Sequence, residues 1–176
     1  MSTATLQGTG TAEDFIAACP PPAVVAVVIE WRGRIALFKR SQSVGHERGL
    51  WHCITGYLEP GVAPQEQALT ELKEEAGLTL QDLAGFQAGE QLLIPDPAGV
   101  PWQVHTYTAV SKRRRLTIND EHDAYRWAAP AKISRFSNRV PWLDIVLDST
   151  LPTAKNPAPA VRTRGVLPAT SPATPN

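Results

Sequence analysis

"GYLEPGVAPQEQALTELKEEAGL", residues 56–78, decides how this chain folds and what it can hold. Proline is accepted in the first turn of a helix, where its missing N–H has no partner to lose, and glycine supplies a left-handed stop. Pro64 and Gly77 therefore predict a helix over residues 63–76. At about 100° per residue, Ala68, Leu69, Leu72 and Ala76 share one stripe, while Glu71, Glu74 and Glu75 share another at i, i+3 and i+4. The apolar stripe suits packing on a sheet. The acidic stripe gathers like charges that repel by roughly 0.2–0.5 kcal/mol per pair on a bare helix, and more where water is scarce. A hard divalent cation with a taste for oxygen, Mg²⁺ or Mn²⁺, relieves that repulsion. Taken by itself "ELKEEAG" also describes a solvated helix face, so the surrounding sequence has to decide.

Before this helix, "AVVAVVIEW" (23–31) is a continuous β-branched run and "RIALFKR" (34–40) a second apolar stretch, so the two read as paired strands turning at Arg32-Gly33. Residues 41–50 and 95–99 carry loop composition, and pocket-shaping loops are expected at 92–100. "WQVHTYTAV" (102–110) reads as a strand and "AYRWAA" (124–129) as a shorter one. "SNRVPWLDIVL" (137–147) suggests a closing helix with Ser137 near its N-cap and Pro141 in its first turn. "KRRR" (112–115) reads as a solvated hairpin turn. Residues 1–22 are small and polar up to a proline run, and 149–176 are rich in Pro, Ala and Thr without apolar period, so the expected ordered domain is 23–148 between two flexible segments.

Seventeen basic residues balance seventeen acidic ones, so no overall field points to nucleic acid or an anionic membrane, and charge-driven function has to be local. No apolar stretch reaches the roughly 18 residues of a membrane span. Cys19 and Cys53 lie far apart without metal spacing, as expected of reduced thiols in a cytoplasmic protein.

The 56–78 stretch resembles the Nudix box, G-x5-E-x7-R-E-U-x-E-E-x-G-U with U aliphatic. Gly56, Glu71, Leu72, Glu74, Glu75, Gly77 and Leu78 fall in register. Val62 stands where the box has Glu, and Thr70 where it has Arg. "WHCITGYLEPG" resembles the family's approach to the box, and "EHDAYRW" a downstream segment shared with the dihydroneopterin triphosphate pyrophosphatase and diadenosine tetraphosphate hydrolase branches. The resemblance implies an α+β fold, a mixed β-sheet sandwiched between α-helices. It also implies hydrolysis of a phosphoanhydride in a nucleoside or pterin triphosphate-like small molecule. On this reading Glu71, Glu74 and Glu75 hold Mg²⁺ (or Mn²⁺), and Glu71 or Glu121 is the general base. Arg40 reaches a phosphate, Trp51 and Tyr57 stack on the ring, and Gly56 and Gly77 shape the box. Losing the box Glu and Arg together keeps the local charge sum, so the site reads as altered more than abolished, with Glu59 a candidate to take over the orienting work. The alternative is a Nudix-fold nucleotide-binding or regulatory domain with weak or no hydrolysis.

Overall fold

The computed structural model describes residues 21–151. Seven strands form one sheet: β1 (Ala23–Trp31), β2 (Arg34–Arg40), β3 (Trp51–His52), β4 (Ile54–Tyr57), β5 (Leu83–Pro95), β6 (Pro101–Ser111) and β7 (His122–Ala128). Among the described residues two α-helices accompany it, α1 (Pro64–Ala76) and α2 (Leu143–Thr150). The main path runs β3-β2-β1-β6-β5, with β4 joined to β1 and β7 to β2. β1 lies parallel to β6 over eight residue pairs and antiparallel to β2 and β4, so the sheet is mixed.

The unbroken apolar run of β1 follows from that position. Val25, Val27 and Ile29 face one core, with Phe38, Ile54, Leu72 and Tyr107; Ala26 and Val28 face the other, with Leu37, Val104, Leu143 and Val146. A strand covered on both faces needs apolar residues at every position rather than at alternate ones. The Arg32-Gly33 turn has φ of 49° and 71°, the doubly left-handed conformation whose twist matches a tight hairpin.

α1 covers the first face through Ala68, Leu72 and Ala76 and stops at Gly77, φ 64°, whose N–H returns to the Lys73 carbonyl at 3.1 Å. Ala63, expected inside the helix, is its N-cap. α2 covers the second face, but it begins at Leu143 and not near Ser137. The Trp51 N–H donates to the Asn138 carbonyl (2.9 Å) and the Val140 N–H to the Trp51 carbonyl (3.0 Å), which holds residues 138–140 extended beside β3. Pro141 disfavours helical backbone at Val140 for the same outcome. α2 continues to Thr150, past the expected boundary at 148. Residues 92–95, expected in a loop, are the end of β5; the connection is a turn closed by Asp96, whose carboxylate accepts the Ala98 and Val100 N–H groups at 2.8 and 2.9 Å. Residues 112–115 form no hairpin, because β6 and β7 are not paired. Instead Lys112 Nζ donates to the Gln81 carbonyl (2.9 Å) and Arg113 to the Gly77 carbonyl, fastening the end of α1. The expectations for residues 1–20 and 152–176, Cys19 among them, lie outside the described residues.

Candidate active site

The carboxylates of α1 meet the sheet where β4 passes beneath the helix. Gly56 is the contact: a Cβ there would overlap the Glu71 carboxyl group, so only glycine leaves room for it. One turn earlier on the helix, Gln67 is buried and its Nε2 donates to Glu71 Oε1 at 2.8 Å, the i, i+4 reach of neighbouring side chains. Glu75 is 2% exposed, and Glu74 lies on the exposed side of the helix.

Burial, first of all, raises the Glu71 pKa above the ordinary carboxylate range, and the Gln67 hydrogen bond opposes that rise. Glu75 is pushed up to about 10, by burial and then by the charges of Glu71 and Glu121. Glu71 and Glu75 stand four residues apart on the same helix face and each bears on the other's titration, so burial disfavours charging both at once. Glu121, at the start of β7, is exposed and its backbone carbonyl accepts the Ser41 N–H at 2.8 Å. Its charge is felt by both helix carboxylates, so the structure brings it to them.

Behind Glu75 lies a pair the sequence reading did not connect. His122 Nε2 is 3.4 Å from Glu75 Oε2 and 3.0 Å from His52 Nε2, all three side chains being buried. Burial lowers both histidine pKa values, that of His122 to about 4, with the Arg40 charge adding to the effect, so both rings are neutral at pH 7. In the sequence neither His122, within "EHDAYRW", nor His52, within "WHC", carries a local signal that joins the two.

Among the described residues no three His, Cys, Asp or Glu side chains converge on one point as a preformed metal centre. The donor chemistry nevertheless fits a hard cation. Glu71 and Glu75 present oxygen donors on one helix face, Glu75 Oε2 is buried without a hydrogen-bond partner, and a divalent ion there would offset the negative charge that burial disfavours.

A NUDIX domain family model matches residues 20–148. The chain belongs to the Nudix hydrolase family. The nucleoside triphosphatase NudI of Salmonella typhimurium is 27% identical over 124 residues, which cover 66% of this chain and 88% of that protein. An octanoyltransferase of Myxococcus xanthus is 34% identical over 127 residues, 66% of this chain; the chain spans only 34% of that protein's length. A bifunctional NMN adenylyltransferase/ADP ribose pyrophosphatase from Francisella tularensis, solved with AMP and an Mn ion, shares the fold with a TM-score of 0.62 at 16% identity, over 77% of this chain and 43% of that one.

In this Nudix domain neither departure from the box gives the carboxylates a hydrogen-bond partner among the described residues. Thr70 is exposed and its Oγ1 donates back to the Glu66 carbonyl at 3.1 Å, while Val62 is half-buried at the approach to α1. Glu59 is exposed and among the described residues makes no side-chain hydrogen bond to Glu71, whereas Gln67 does. Sequence offered a signal for Gln67 in its place one turn before Glu71, but an amide inside an acidic helix reads as surface.

The expected ring- and phosphate-binding residues divide. Arg40 is buried on the carboxylate face, where its charge reaches Glu75 and both histidines, and its Nε donates to the His46 carbonyl at 3.1 Å. Trp51 belongs to the opposite face, edge-on to Phe136 at 5.1 Å and packed against the α2 core. Tyr57 is two alternations on from Cys53, a residue of that same core, and lies 5.8 Å from Trp102. Strand alternation therefore turns Trp51 and Tyr57 away from Glu71 and Glu75, and sequence spacing alone could not assign the face.

Proposed function

We propose that this domain hydrolyses a phosphoanhydride bond of a nucleoside or pterin triphosphate-like molecule in a Mg²⁺- or Mn²⁺-dependent reaction in the cytoplasm. The observation that carries this reading is the buried Glu75, its Oε2 without a hydrogen-bond partner, on the same helix face as Glu71, which Gln67 holds over Gly56. Glu71 and Glu75 would hold the ion, with Glu74 on the open side of the helix. Such a cation supplies neutralisation of phosphate oxygens and acidifies water. Gln67 keeps Glu71 in one orientation, Gly56 gives its carboxylate space, and His122 stands behind Glu75 so that it cannot swing away. Glu121, on the exposed rim, takes the proton from the attacking water; Glu71, already engaged by Gln67, is the less free of the two candidate bases. Arg40 contributes positive charge next to the cluster for a phosphate.

The reading is supported by the similarity to NudI, named as a nucleoside triphosphatase, and by the AMP and Mn ion in the Francisella structure. The test is phosphate release from a panel of nucleoside triphosphates and dihydroneopterin triphosphate, with and without Mg²⁺. Metal-dependent release that falls at least ~100-fold in both Glu75→Gln and Glu121→Gln is expected, the loss of a metal-holding carboxylate and of a general base respectively. A regulatory reading is favoured by one observation, that neither Val62 nor Thr70 supports the carboxylates. Tight binding of a panel member with no turnover at any metal concentration would establish it instead.

A further inference from the structure

On the same sheet face as the carboxylates, at the far end of β7, lies a depression of about 860 Å³. From His122 to Trp127 the strand runs five residues, roughly 16 Å at ~3.3 Å per residue. Alternate positions of three strands build its floor: Trp31 of β1 beside Arg34 of β2, which are cross-strand partners, and Trp127 of β7 opposite Ala36. Trp31 and Trp127 lie 5.8 Å apart, tilted by 48°, and Tyr125 meets Trp127 edge-on at 6.4 Å. Arg114 and Arg115 enter from the segment after β6; Arg126 alternates to the other face of β7 and meets the depression only at its rim, its Nη1 donating to the Tyr125 carbonyl at 3.3 Å. The Arg114 carbonyl accepts Trp127 Nε1–H at 2.9 Å, which ties the basic segment to the aromatic wall.

No acidic residue lines this depression, and among the described residues none of Arg34, Arg114, Arg115 and Arg126 forms an ion pair. Glu30, next to Trp31 in the chain, is turned to the Gly33 N–H of the hairpin at 3.3 Å. Four exposed guanidiniums around three aromatic rings, in a chain with no net charge, make a local positive field that nothing in the fold neutralises. Guanidinium forks match phosphate oxygens, and indole faces accept planar rings. The volume is that of a small-ligand site.

We infer that this Arg/Trp depression is a second binding site for a nucleoside polyphosphate, separate from the carboxylate cluster, with phosphates on Arg34, Arg114, Arg115 and Arg126 and the base against Trp127, the Trp31 ring being covered by Arg32 and Arg114 at 5.2 and 5.9 Å. The site does not depend on the hydrolase reading, since it needs neither metal nor Glu71.

Calorimetry with ATP in EDTA tests it on the full chain. Binding is expected, weakened roughly 10- to 100-fold by Arg114→Gln with Arg126→Gln, as for the loss of charged hydrogen bonds, and unchanged in Glu71→Gln. The aromatic share is read by inorganic triphosphate, which is expected to bind more weakly than ATP in wild type and equally in Trp127→Ala. A circular dichroism melt verifies that each variant is folded. Three outcomes overturn the inference: no metal-free binding, equal affinity in the folded arginine variant, or loss of binding in Glu71→Gln. A short single-stranded oligonucleotide binding more than ~100-fold tighter than ATP would overturn the ligand class and assign the surface to nucleic acid.

Discussion

Gly56 has no side chain, and the Glu71 carboxyl group occupies the space one would fill. The obstacle is the end of a flexible side chain, so Gly56→Ala is expected to displace Glu71 at little cost in melting temperature. A misplacement of about 1 Å can cost ~100-fold in turnover. Phosphate release down at least ~10-fold with an unchanged melting curve supports this; equal turnover would show that Glu71 does not act where it lies. Gln67 is the second residue on which Glu71 depends. Gln67→Ala is expected to lower turnover by ~10–100-fold, the usual range for a group that orients a metal-holding side chain. It also changes what box repair can achieve. Because Gln67 already steadies Glu71, Val62→Glu with Thr70→Arg should help little in the wild-type background and more in Gln67→Ala, a non-additivity that a four-variant cycle measures. Cys53, fully buried, has a thiol pushed up to about 12, chiefly by burial. A raised thiol pKa favours the protonated native state, so its contribution is complete below about pH 9 and is lost as pH rises towards 12. At pH 8 the native thiol should therefore resist alkylation that proceeds at once in denaturant, which site-resolved mass spectrometry reads directly.

At the scale of elements, α1 was legible to within one residue because Pro64, the apolar stripe and Gly77 all state the same limits. β1, β2 and β6 were legible from their β-branched runs. β5 was not: its sequence, LAGFQAGEQLLIP, has no period, because its register shifts at Leu83/Gly85 and at Ala88/Gln91 and most of its side chains are exposed. The start of α2 was misread because "SNRV" carries a cap-like serine, whereas its backbone pairs with Trp51 through tertiary contacts that no local pattern announces. The candidate site divides along the same line. Positions on α1 follow from helical spacing, but the faces of Trp51 and Tyr57 depend on strand register, and the His52–His122 contact joins residues 70 apart. The end of α2 also has a measurable weight. Thr150 Oγ1 donates to the Val146 carbonyl at 2.8 Å and Leu151 packs on the second core, so a chain ended after Asp148 should melt several degrees below one ended after Leu151. At the end of α1, Gly77→Ala puts a Cβ into the left-handed region and 2.9 Å from Thr117, and should cost at least ~1 kcal/mol by denaturant titration.

For the molecule as a whole, alternate residues of β1 serve both cores, and β1 pairs with β2, β4 and β6. The two layers should therefore not melt separately. Ile29→Ala, expected to cost ~2–5 kcal/mol, should shift fluorescence and far-ultraviolet dichroism transitions together; divergent midpoints would mean that the faces unfold independently. One margin of the sheet is β5, thirteen residues long and, among the described residues, hydrogen-bonded only to β6. A straight margin of that length invites pairing with another copy and growth into aggregates. Its second register shift bends it at Gly89-Glu90, where the absence of a Cβ lets Thr106 Oγ1 approach and donate to the Glu90 carbonyl at 2.6 Å. That kink leaves an incoming strand no regular ladder to extend, so the irregularity that hid β5 in the sequence also guards the protein against stacking on itself.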